Sequence, residues 1–188
     1  MLRIIVPAVE RWIDDSNEIG GGHFYSSKEQ VLLLEHSLIS VSKWEAKWHQ
    51  PFLDDKKEKT IEQTLDYIRC MTLNTDKVTS DVYMNLSNNN IEDIKDYMDN
   101  SMTATVIKEK QHTGPKSSEY LTNEIIYYQM IILGIPFECE TWHLNRLITL
   151  IKVCAIKQTP QKKMSQKELM DRNRNLNASR KAALHTRG

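Results

Sequence analysis

Cysteine is scarce in this chain: three residues, Cys70, Cys139 and Cys154, odd in number and far apart. They supply no disulfide framework, so a reducing cytosol is the expected compartment. Long apolar runs are absent too. The run Leu2–Val6 is too short for a signal peptide. The longest apolar stretches fall well short of the ~20 residues that cross a bilayer, so a soluble protein is expected. No internal repeat is visible, and no G-x-S-x-G, H-E-x-x-H or Asp-rich calcium loop occurs. Gly20-Gly21-Gly22 lacks the Lys-Ser/Thr ending of a phosphate-binding loop and reads as a hinge or turn. After Trp142 there is no aromatic residue at all, which disfavours stacking on single-stranded nucleic acid.

Net charge is also missing, but only as a sum. Lys157 to Gly188 holds nine Lys or Arg against two acids, a net +7. Met1 to Ile156 holds 16 Lys or Arg against 23 acids, a net −7. Opposed charge of this kind describes an acidic globular body carrying a basic arm. With 40% hydrophobic residues, a core is affordable over roughly the first three-quarters of the chain.

The expected fold is α+β and mainly helical: a body over residues 1–158 with a small sheet, then a basic helical arm over 159–188. Residues 1–30 show little periodicity beyond a short strand at Leu2–Val6. Val31–Leu38 is β-compatible, and Met102–Ile107 alternates with β-branched residues, so these two segments are expected to pair. Ser40 or Ser42 is expected to cap the next helix, with Glu45 completing a capping box and Pro51 ending it. A second helix follows Thr60 through Ile61, Leu65, Ile68 and Met71. Shorter helices are expected at Ser80–Leu86 and Ile91–Met98, then a loop over Lys108–Ser118. Asn123–Leu133 is the strongest helix, opened by Thr122 and closed by Gly134 and Pro136. Thr141 is expected to cap a partner helix whose stripe is Leu144, Leu147, Ile148, Ile151, Cys154 and Ala155. The short link between these two predicts an antiparallel pair. The capping box Ser165–Glu168 starts an arm helix near Lys167–Leu176.

Sites of chemistry are few. Cys139, His143 and Cys154 invite comparison with a metal centre or a Cys–His nucleophile, but no C-x-x-C pair is present and core packing is the expected role. His36 beside Glu35 suggests an acid–base pair, against which a half-buried strand-edge residue is the plainer reading. Carboxylate pairs such as Asp14-Asp15 and Asp54-Asp55 lie in polar surroundings that tune pKa weakly. No catalytic, metal or cofactor residues are assigned. Interaction residues are: Trp44 and Trp48, four apart on one helix face and also suited to the core; Tyr127 and Tyr128; and the cations Lys162, Lys163, Arg172, Arg174, Arg180 and Lys181. The cations suit an acidic protein surface or a nucleic-acid backbone.

Within Tyr120–Cys154, the run E-I-I-Y-Y-Q-M-I-I-L-G-I-P-F-E-C-E-T-W-H-L-N-R-L-I-T-L-I-K-V-C resembles a family of tailed-bacteriophage proteins. So do L-L-L-E-H-S-L-I-S-V-S-K-W-E-A-K-W, L-D-Y-I-R-C-M-T, M-T-A-T and the end R-N-R-N-L-N-A-S-R-K-A-A-L-H-T-R-G. The family is similar to the tail assembly chaperones encoded beside the tape measure gene of long-tailed phages. What the resemblance implies is non-enzymatic work in the host bacterial cytoplasm. Such chaperones coat the helical tape measure protein and leave as tail tube subunits polymerise around it. Some are also made with a frameshifted extension. The chain departs from the pattern at Gln129, where an aromatic residue is expected. Two other roles compete: a structural virion or neck component, and a nucleic-acid-binding accessory protein using the arm.

Overall fold

The computed structural model describes residues 1–14, 22–54, 57–107, 120–158 and 166–184. Two compact units result, Met1–Ala155 and Ile156–Gly188. The fold is α+β and mainly helical, and among the described residues all strands lie before residue 35.

Strand β1 (Leu2–Val6) pairs antiparallel with β4 (Gln30–Leu34), setting Ile4 opposite Leu32. Alternation turns Ile4, Val6, Leu32 and Leu34 inward. Between them β2 (Val9–Asp14) and β3 (Gly22–Ser27) form a second antiparallel ribbon. In that ribbon Trp12 lies across from Phe24, and its ring covers Gly22. A Cβ at Gly22 would stand 2.4 Å from the Trp12 ring nitrogen, so a side chain there displaces the indole.

The pairing of Val31–Leu38 with Met102–Ile107 is overturned, because β1 is the partner of β4 and residues 102–107 form no strand. Local bonds hold that segment in turns. The Met102 N–H donates to Asn100 Oδ1 at 2.8 Å, the Thr105 N–H to Thr103 Oγ1 at 3.1 Å, and Met102 adopts a left-handed φ of 47°. The other edge of β4 is taken by the chain after the second helix. Leu73 N–H donates to Leu33 O, and the Asn74 side chain bonds both Leu33 N and Val31 O.

Helix α1 (Leu38–Trp48) begins earlier than expected. Its cap is Ser37, whose hydroxyl accepts the Ser40 N–H, and it closes on His49 at a left-handed φ of 52°. Helix α2 (Ile61–Met71) has the expected Thr60 cap, with Gln63 completing a capping box. Ser80–Asn85 is a 3₁₀ helix, and α3 (Asn88–Asp99) starts at a Ser87–Asn90 capping box. The loop expected at Lys108–Ser118 lies outside the described residues. Helix α4 (Asn123–Leu133) ends on Gly134 at φ 65°, a conformation glycine adopts without strain, with Ile135 N–H closing on Met130 O at 2.8 Å.

A 3₁₀ turn, Phe137–Thr141, leads to α5 (Leu144–Gln158). Thr141 does not cap α5: its hydroxyl donates to Glu138 O, and His143 O accepts the first α5 bond from Leu147 N. The core gathers Leu38, Val41 and Trp44 of α1, Tyr67, Ile68 and Met71 of α2, and Leu144 and Leu147 of α5 beneath the β1–β4 ribbon. Against this core α4 packs on α1, and α4 and α5 together line a groove. In the second unit α6 runs from Gln166 to Leu184, eight residues past the expected end.

Candidate functional site

The tryptophans are structural first. Trp44 is 1% exposed, and its indole N–H donates to Gln63 O at 2.9 Å. It therefore offers nothing to a partner, and its place among the interaction residues is corrected. Half-buried Trp48 donates to Asp66 Oδ2 at 2.9 Å, while Lys47 Nζ lies 2.5 Å from Asp66 Oδ1. Burial alone would raise the Asp66 pKa, yet these donors hold it below the ordinary carboxylate value. The indole pair, ring centres 6.2 Å apart, thus ties α1 to α2.

Tyr127 and Tyr128 part company on α4. Tyr127 is half-buried and its hydroxyl donates to Glu140 Oε2 at 2.8 Å; burial and that bond push its pKa up to about 12. Tyr128 points out, 62% exposed. Beside it stand Ile131 at 63% and Ile132 at 57%. Asn123, Ile126 and Met130 occupy the inner face. An all-round apolar helix is normally enclosed, and α4, whose one charged residue is Glu124, is enclosed on one side only. Its flank continues into a groove of about 400 Å³, lined by Ile126, Gln129 and Ile132 of α4 and by Ile148, Ile151 and Ala155 of α5. Gln129, the departure from the family pattern, is the polar member of the α4 wall.

Local chemistry aims α4 outward. Glu45, buried in α1, bridges two backbone donors: Phe52 N–H to Oε1 at 2.6 Å and Asn123 N–H to Oε2 at 2.8 Å. The second bond satisfies the opening turn of α4 in place of Thr122, whose side chain makes no capping bond. A carboxylate at a helix start also complements the helix dipole.

The cysteine–histidine constellation does not converge on a cleft. Cys139 is buried on the 3₁₀ turn, His143 is buried with Nε2 3.0 Å from Tyr97 O, and Cys154 is half-buried on α5. Among the described residues no three His, Cys, Asp or Glu side chains are placed to hold a metal. His36 is 4% exposed rather than half-buried at a strand edge. It follows β4, meets Tyr67 Oη through Nδ1 at 2.5 Å and packs edge-on to His143 with ring centres 5.1 Å apart. Burial, then repulsion from His143, pushes its pKa down to about 3. His143 is also lowered, chiefly by burial, and its Nδ1 has no hydrogen-bond partner. Glu35 faces elsewhere, accepting the Tyr97 hydroxyl at 2.6 Å and pairing with the Met1 amine at 2.7 Å.

Arg172, Arg174, Arg180 and Lys181 lie on α6 with exposed side chains, while Lys162 and Lys163 fall outside the described residues. Sequence reasoning missed Ile131 and Ile132, although the all-round apolarity of Ile125–Leu133 was the signal that marks them. No helix of the described residues is long and apolar enough to cross a membrane. Comparison with protein-family models, with curated proteins and with solved structures finds no match.

Proposed function

We propose that this protein is a non-enzymatic tail assembly chaperone of a long-tailed bacteriophage. In the host cytoplasm it covers apolar ridges of the helical tape measure protein and releases them as the tail tube closes. One observation carries the reading: the outer face of α4 exposes Tyr128, Ile131 and Ile132 beside a single carboxylate, Glu124, and opens into the α4–α5 groove. Such a surface fits an amphipathic helix laid in a groove, whose anchors recur at three- and four-residue spacing. The tape measure protein enters as the partner through the sequence resemblance to tail assembly chaperones alone.

The test is co-expression with the tape measure protein of a long-tailed phage, in wild-type form and as Tyr128→Lys with Ile131→Lys. We expect the wild type to co-purify with that protein and the double variant to lose it at an unchanged unfolding midpoint. Full binding by the folded double variant would remove α4 from the interface. Stoichiometric recovery of the protein from purified virions would favour a structural virion or neck component instead.

A further inference from the structure

A second apolar surface, separate in sequence from α4, lies on the β2–β3 ribbon. Trp12 stands opposite Phe24 in its register, and Glu10 stands opposite Ser26. Residues paired across strands, and those two apart along one strand, share a face. Glu10, Trp12, Gly22, Phe24 and Ser26 therefore form one side of the ribbon. Trp12 is 65% exposed and Phe24 60%; Glu10 and Ser26 are exposed as well. The reverse side is anchored. Tyr25 donates its hydroxyl to Asp81 and accepts from Asn85 Nδ2 at 2.8 Å, while Arg11 lies over the Tyr25 ring at 5.2 Å. On the open side the Trp12 indole rests against the bare backbone of Gly22, where a Cβ would push it away. The face thus runs from indole to phenyl ring to a carboxylate–hydroxyl pair, over about 13 Å at the strand rise.

We infer that this face binds an uncharged, flat glycan chain of the β-1,4-linked type, with sugar C–H faces on Trp12 and Phe24 and hydroxyls toward Glu10 and Ser26. Three features favour this ligand. The one Lys or Arg of the two strands, Arg11, lies on the reverse side over Tyr25, so the face carries no cation to attract phosphate or nucleic acid. The two rings expose roughly 300 Å² between them, well short of the ~800 Å² that each partner gives to a stable protein interface. A sugar ring needs both kinds of group present. Its axial C–H bonds make an apolar face that packs on an aromatic ring, and its equatorial hydroxyls lose water that hydrogen-bond partners must replace. The Glu10 carboxylate supplies acceptors, and the Ser26 hydroxyl both donates and accepts. Anchoring from behind sets the ribbon in place before the ligand arrives, which lowers the ordering cost of binding.

The test is calorimetric titration of the full chain with cellotetraose, and with maltotetraose, whose α-1,4 links curve the chain, as the contrast. We expect cellotetraose to bind and maltotetraose to bind more weakly. Trp12→Ala should weaken cellotetraose binding about tenfold, and Phe24→Ala about threefold. Gly22→Ala keeps the indole but displaces it, so it should lose about as much as Trp12→Ala. Unfolding midpoints in urea confirm that each variant is folded, as the exposure of Trp12 and Phe24 leads one to expect. The inference is overturned if cellotetraose at millimolar concentration gives no binding heat, or if the folded Trp12→Ala variant binds it in full. Equal affinity for maltotetraose overturns the flat-chain assignment. A wild-type mass in light scattering that drops to the monomer on Trp12→Ala assigns the face to a second copy of the chain instead.

Discussion

Helices α4 and α6 both turn side chains to solvent, and they do so from opposite compositions. Helix α4 is apolar on nearly every side and is held by one face, through Asn123, Ile126 and Met130. Helix α6 is polar on most sides, and none of its described side chains is buried. The inner half of α4 belongs to the fold of its unit, while its outer half adds nothing that stability requires. Leaving apolar groups in water forgoes about 25 cal/mol per Å². A partner recovers that energy by covering them, which is how a reversible binding surface works. Helix α6 sets exposed Leu169, Met170, Leu176 and Leu184 among its cations, so its surface mixes charge with apolar area.

Neighbouring substitutions on α4 test that division most sharply. Met130 is fully buried, so Met130→Ala should destabilise by about 3 kcal/mol, from lost transfer energy and the cavity left behind. Ile131 is its neighbour and faces solvent, so Ile131→Ala should change stability by less than about 0.5 kcal/mol. Urea unfolding midpoints of the two variants measure the difference. Equal losses would mean that α4 has no distinct outer face.

The anchoring of α4 comes next in size. Glu45→Ala removes the acceptor of both Phe52 N–H and Asn123 N–H. Leaving such buried donors unpaired should cost about 2 kcal/mol. Exchange of the Asn123 amide hydrogen should also speed up, since its bond links α4 to α1. Unchanged protection of that amide would show that Thr122 or water replaces the carboxylate.

Acid should act on the body and spare the arm, because the buried histidines lie between β4, α2 and α5. An unfolded chain binds a proton at His36 near pH 6.5, whereas in the fold this happens only at about 3. Between those values the unfolded state holds the extra proton, so stability falls as pH falls, by about 1.4 kcal/mol per pH unit. His143, lowered in the same direction, adds to the slope. Above the unfolded value both states are neutral and the dependence vanishes. His36→Phe should flatten the slope between about pH 6 and 4, as read from urea midpoints across that range. An equally steep profile in the variant would assign the acid sensitivity to His143, whose pKa is also lowered by burial.

Local signals in the chain marked the helices well and the sheet poorly. Thr60 with Gln63, and Gly134 past Leu133, are short-range devices whose effect does not depend on distant residues. Strand pairing is set by distant contacts. Leu2–Val6 competes with Met102–Ile107 for the same strand, and its buried Ile4 and Val6 win over exposed alternation. Glu45 shows the same limit: its spacing from Ser42 fits a capping box, while its actual partners are seven and 78 residues away. Trp44 and Trp48 share a helix face as their spacing requires, but that face is turned to α2. Of the residues singled out in the sequence, Tyr128 and the α6 cations Arg172, Arg174, Arg180 and Lys181 are exposed, as charge and helical spacing lead one to expect. Ile131 and Ile132 were not legible in this way, since which side of an all-apolar helix stays bare depends on where α1 packs.

Removing the arm should have the smallest effect on stability. No described α6 side chain is buried, so deleting residues 159–188 removes no described buried side chain. Salt-screened attraction between a basic arm and an acidic body is worth little when both are hydrated. The unfolding midpoint of the truncated chain should therefore stay within about 0.5 kcal/mol of the full chain at 150 mM salt. The helical circular dichroism lost on truncation reports how much of α6 is formed without a partner. A destabilisation above about 1 kcal/mol that disappears at high salt would mean that the opposed charges hold the two units together.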